Sequence, residues 1–206
     1  MKLKRILSLA LSGVLAVSML TACGGGISDI FGAGDQSASF AKLLNSKLDE
    51  TTAKVVEYSS SDKCNLKSTV RSVVNTLEKD QIDNGVADSA IMTMAVQMTK
   101  CNDMNLSSAW TASPEDRTHV KIFVYDADDD SYNTLDEVAT AVKNQLNNMQ
   151  LGSAQATESA GYTNEYSGYV TAYATTIKAA ASGEEDSHAW VVGVVLVQDS
   201  EPVAKP

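Results

Sequence analysis

The densest group of ionisable side chains lies in the twelve residues from Asp126 to Glu137. Counted from Asp126, carboxylates stand at positions one, three, five and twelve: Asp126, Asp128, Asp130 and Glu137. Oxygens at that spacing can wrap a hard cation. The carbonyl of Tyr132 and the hydroxyl of Thr134, directly or through water, would complete the shell. A second chemistry uses the same residues. Thr134 and Glu137 have the spacing of a capping box, in which each side chain satisfies an orphan amide at a helix start. Aspartates just before that helix also suit its dipole.

The ligand positions resemble those of an EF-hand calcium loop, which implies calcium as the one cofactor to expect. Three departures count against it. Ser131 stands where the loop takes glycine for its turn, Asn133 stands where an aliphatic residue is usual, and a strand leads in instead of a helix. The cap is therefore the preferred reading and calcium the alternative.

Catalytic signals are thin. His119 and His188 are the only histidines, hence the only unperturbed side chains that titrate near neutrality. His188 follows Glu184, Glu185 and Asp186, so a histidine–carboxylate pair for acid–base work, as in a hydrolase, would be built there. No metalloprotease helix, serine-nucleophile elbow or phosphate-cradling glycine loop is present. The expectation is a non-catalytic domain, with a cell-envelope hydrolase as the alternative. Tyr162, Tyr166, Tyr169 and Tyr173 could offer a stacking surface to glycan or peptide, although half-buried sheet positions are the commoner role. Met94 and Met98 read as core filling, not soft-metal ligands.

The N-terminus carries the clearest address. Lys2, Lys4 and Arg5 precede an apolar run from Ile6 to Leu20, and Leu20-Thr21-Ala22-Cys23 closes it. This order is that of an export signal over residues 1–22. The last four residues resemble the lipobox of bacterial lipoproteins. The resemblance implies lipidation of Cys23, cleavage before it, and a chain anchored in the cell membrane on its extracytoplasmic side, or in the outer membrane of a two-membrane cell. Outside the cytoplasm, the remaining Cys64 and Cys101 read as a disulfide pair.

Without that signal, 13 Lys and Arg face 26 Asp and Glu, a net charge of −13. Such a chain is repelled by phosphate backbones, so nucleic acid is excluded as a partner. The expected partners are the membrane, through the lipid alone, and an envelope protein, peptide or glycan.

The elements that must position these residues follow from periodicity. Residues 23–36 read as a Gly-rich tether, and 37–199 as one α+β domain with a frayed tail over 200–206. A helix is expected from Ser37 to Tyr58. Two more, carrying Leu66, Val70 and Val73 and then Ile91, Met94 and Ala95, form a hairpin whose open end brings Cys64 to Cys101. His119 to Tyr125 is a strand and Leu135 to Met149 a helix. Residues 152–168 read as loop. Tyr169 to Lys178 and Ala189 to Gln198 form a C-terminal β-hairpin in a small, mainly antiparallel sheet. The second strand of that hairpin is apolar on both faces, so it should be central and covered on each side.

Overall fold

The computed structural model describes residues 34–154, 161–179 and 183–203. The signal peptide, Cys23 and most of the expected tether lie outside these residues. The expected α+β class is found: helices flank a mixed sheet of six strands. In chain order the elements are α1 (Ser37–Lys47), α2 (Glu50–Ala53), β1 (Tyr58–Ser59), α3 (Leu66–Thr76), β2 (Gly85–Val86), α4 (Ser89–Thr99) and β3 (Asn102–Asp103). They continue as β4 (Arg117–Asp126), α5 (Leu135–Asn147), β5 (Tyr162–Ile177) and β6 (Ser187–Pro202). The sheet runs β1-β5-β6-β4-β2, and β3 pairs with β4 as well. Of the three long strands, the middle one, β6, is antiparallel to both β4 and β5, while β1 and β3 lie parallel to their neighbours.

Strand β6 sits in the middle, as its composition predicts. Side chains alternate along a strand, so Trp190, Val192, Val194 and Leu196 enter one core with α1 and α5. Ala189, Val191, Val195 and Val197 enter the other with α3 and α4. Gly193 falls on the second face, where α3 comes closest. A Cβ there would lie 2.5 Å from Val70 Cγ2 and 2.8 Å from Leu66 Cδ1. Gly168 does the same on the first face, beneath the ring of Tyr58.

Four boundaries differ from expectation. The helix expected over 37–58 is cut at Leu48, which is extended, and restarted by Asp49. The Asp49 carboxylate accepts bonds from the Thr51 and Thr52 amides and hydroxyls. Those bonds, from Thr51 first, hold it well below the usual carboxylate range. The tether ends sooner than expected, because Gln36 N donates to Ala172 O at 2.8 Å and Asp35 forms a bridge with Tyr173. Strand β5 begins at Tyr162, inside the expected loop, and β6 continues to Pro202, inside the expected tail. The last two corrections are one event, since residues 162–165 pair with 199–202.

Beyond the Pro114 turn, a buried glutamine fastens the 104–116 segment to the sheet. Gln198 is fully buried; its Oε1 accepts from Trp110 Nε1 at 2.8 Å, and its Nε2 donates to the carbonyls of Ser113 and Glu115 at 3.1 and 2.8 Å. A buried amide is tolerated here because donor and acceptor are both used. Gly193→Ala is expected to lower stability by about 1–3 kcal/mol, through overpacking of α3 against β6. A urea titration with an unchanged m-value checks this; a neutral result would show that α3 is not held against the strand.

Candidate functional site

The structure joins two regions that the sequence treats separately. His188, at the start of β6, is paired with Asp128 of the acidic turn: its Nδ1 and its backbone amide lie 2.8 Å from the two oxygens of that carboxylate. The histidine–carboxylate pair therefore exists, but its acid is Asp128. Of the acids nearer in sequence, Asp186 is bonded to Lys178 and the Ala179 amide instead.

The same geometry distributes the calcium-loop residues among other tasks. Asp126 Oδ1 accepts from the Asp128 amide at 2.9 Å, and Asp129 accepts from Ser131 N at 2.8 Å. Glu137 Oε2 accepts from Thr134 N at 3.0 Å and from its hydroxyl at 2.8 Å, and Thr134 Oγ1 accepts from Glu137 N at 3.3 Å. The capping box is thus closed, at the head of α5. The Tyr132 ring tilts against Tyr125 with 4.9 Å between centroids. Asp130 makes no hydrogen bond within the turn. Among the described residues, no group of three or more Asp, Glu, His or Cys is placed to hold a metal ion.

His119 plays a different part. Its Nδ1 lies 3.2 Å from Asp103 O, and its ring meets Trp110 edge-on at 4.7 Å between centroids. A carbonyl partner makes Nδ1 the donor. Nε2 is buried without a hydrogen-bond partner among the described residues. His119 is wedged between β3 and the Trp110 segment, away from His188.

Cys64 and Cys101 meet at the open end of the α3–α4 pair, as the hairpin predicts, but the structure holds them as two thiols, not as the expected bridge. Burial of Cys101 pushes its thiol up, chiefly by desolvation, and the neighbouring Cys64 adds to that. The backbone around the pair is unusual: Cys64, Asn65 and Lys100 have φ of 55°, 58° and 57°. Non-glycine residues seldom adopt this left-handed region.

The tyrosines turn out to be framework. Tyr166 OH donates to Ala154 O at 3.0 Å. Tyr173 OH takes a bond from Arg71 Nε at 2.7 Å and donates to Asp35 Oδ2 at 3.2 Å. On α4 the buried methionine is Met92, while Met94 and Met98 are half-buried.

One functional candidate escaped the sequence reading. Lys121 is 7% exposed and faces a cleft of about 620 Å³ at the free edge of β4. Its Nζ is 2.6 Å from Asp103 Oδ1, and Gln145 and Asn148 of the α5 end line the opposite wall. The signal was present: Lys121 is the single charge between Val120 and Tyr125 in an otherwise apolar strand. A second cleft, about 690 Å³, lies where the β5–β6 hairpin meets the end of α3, lined by Val74, Glu78, Ile177 and Ser187 among others. Neither cleft is lined by His188 or His119.

No protein-family model, curated protein or solved structure matches this chain.

Two measurements test these assignments. Thr134→Ala should cost about 1 kcal/mol, equally in calcium and in chelator. A loss confined to calcium would restore the metal reading. In the reduced protein at neutral pH, alkylation should modify Cys64 well before Cys101, and denaturant should close the gap. Peptide mapping reads each site; equal native rates would show that burial does not protect Cys101.

Proposed function

We propose that the chain is a lipid-anchored, extracytoplasmic binding or scaffolding protein of the bacterial cell envelope, and that it is not an enzyme. The observation that carries the second half is the separation of the two clefts from the histidines. His188 has its carboxylate but lines neither cleft, and the clefts contain no histidine. A general base must reach the proton it removes from a bound substrate, and this arrangement instead suits capture without turnover. The hydrolase alternative draws on the His188–Asp128 pair alone.

The first half rests on the N-terminal pattern. No helix among the described residues is long and apolar enough to cross a membrane. Eleven residues lead from Cys23 to Gly34, the first described residue, whose carbonyl accepts from Ala174 N of β5 at 3.2 Å. That span reaches at most about 40 Å, enough to clear the headgroup layer. An acidic domain adds no attraction of its own to anionic lipid. Two acyl chains on Cys23 supply stable attachment without it. In the oxidising space outside the membrane, Cys64 and Cys101 are poised to close as a bridge, each giving up a proton and an electron to a thiol oxidant.

Expression with radiolabelled palmitate in a bacterial host should label the wild-type chain and send it to the detergent phase of a Triton partition. Cys23→Ser should abolish both. Label that persists in the serine variant, or a wild-type chain found wholly in the aqueous phase, overturns the anchoring.

A further inference from the structure

The cleft beside Lys121 exists because two short strands share one edge of β4 and then part. Strand β2 pairs with residues 123–124 and β3 with 119–120, leaving a gap between them. From β2 the chain passes into α4 on one face, and from β3 it passes to Met104 and Leu106 in the core on the other. The two connections leave the sheet on opposite faces, and the cleft lies between them, a concave place of the kind small-molecule sites occupy. The Ile122 amide faces the gap. With no strand carbonyl within reach, it donates to the sulfur of Met92 at 3.3 Å. That thioether belongs to the core on the α4 side of the sheet. The other side stays open, and Lys121 projects into it from β4.

A buried ammonium is costly unless its donors are used. Lys121 Nζ has three, and Asp103 takes one. The remaining two are left for whatever fills the cleft. Around them the hydrogen-bonding groups are uncharged: the amide side chains of Gln145 and Asn148, which make no hydrogen bond among the described residues, and that of Asn105. Asn105 Oδ1 accepts from Ser107 N at 2.8 Å, which leaves its NH2 as donor.

The pairing of Lys121 with Asp103 decides the ligand class. A lone lysine would select an anion, whereas one already neutralised at 2.6 Å does not. Lysine offers only donors and aspartate only acceptors. Two adjacent hydroxyls satisfy both at once, one accepting from Nζ and its neighbour donating to Asp103, while the amides take hydroxyls further out. The cleft has the volume of small-molecule sites. Its walls carry no aromatic ring.

We propose that this cleft binds a saccharide, through a vicinal diol held between Lys121 and Asp103. The inference rests on the reading of the chain as a binding protein and names what it binds.

The test is saturation-transfer NMR on the full chain in detergent micelles, with glucose, galactose, N-acetylglucosamine and its disaccharide as probes and acetate as the anionic control. Transfer to at least one sugar at millimolar concentration is expected, with none to acetate. Lys121→Met should remove it, with circular dichroism confirming the fold. Because Lys121 is buried, the opposite-wall variant Gln145→Ala with Asn148→Ala, at a half-buried and an exposed position, provides an independent check and should weaken transfer several-fold. Transfer that survives all three substitutions places the sugar elsewhere, which overturns this cleft but not the binding reading. Lys121-dependent transfer to acetate overturns the saccharide class. Silence from every probe overturns the inference. Co-sedimentation of the palmitoylated chain with delipidated cell-wall material then judges the binding reading separately, and failure there removes both.

Discussion

A strand that is apolar on both faces cannot lie on a surface, and most of this architecture is the consequence of burying β6. Each face must be covered by something with its own apolar stripe. The chain divides its helices accordingly, α1 and α5 to one side and α3 and α4 to the other. The burial is close enough that Gly193 has room for no side chain beneath α3. Backbone groups along β6 are saturated by β4 and β5 over most of its length, as an interior with no water requires. Two of the polar residues that enter these layers, Gln198 and Lys121, are tied to partners. Gln198 uses its carbonyl oxygen and both amide hydrogens, and Lys121 is kept by Asp103.

The same division creates the chemistry. Helices on both faces oblige the chain to cross the sheet edge, and it crosses at β2 and β3, where two two-residue strands leave a notch. Lys121 is buried because it stands on the core-facing side of β4, in register with Phe123 and Tyr125, yet it is close enough to the edge to reach that notch. By contrast, His188 and Asp128 meet at the far end of the strands, where the turn after β4 folds back on the start of β6.

What could be seen in the sequence was whatever had a period or a rigid local rule. Ala189 to Gln198 is apolar at consecutive positions and therefore central. Leu66, Val70 and Val73 mark the α3 stripe, and Thr134 with Glu137 writes out its own cap. What could not be seen depended on a partner. Tyr162–Asn164 and Ser200–Pro202 are unremarkable alone and become strands by pairing with each other. Strands as short as Gly85–Val86 and Asn102–Asp103 have no alternation to read, so the notch was invisible even though Lys121 in an apolar strand hinted at it. At Asp49 the local rule was present. The Asp-Glu-Thr-Thr sequence is a cap signal that the neighbouring leucine periodicity obscured.

The attachment of Gly34–Ser37 to the edge of β5 has a mechanical consequence. Among the described residues, a pull transmitted from the N-terminal side meets the sheet first at the bonds between Gln36 N and Ala172 O, Ala174 N and Gly34 O, and Ala172 N and Ser37 Oγ. Behind them the Asp35 carboxylate grips Tyr173 and Lys67. Because this segment lies alongside β5, tension along the strand direction strains those bonds together, in shear, instead of peeling them one after another. Only when this clip yields does force reach α1, whose Phe40 and Leu44 are rooted in the core. The domain therefore carries a sacrificial link at its edge, one that can slip and re-form while the buried strands stay paired.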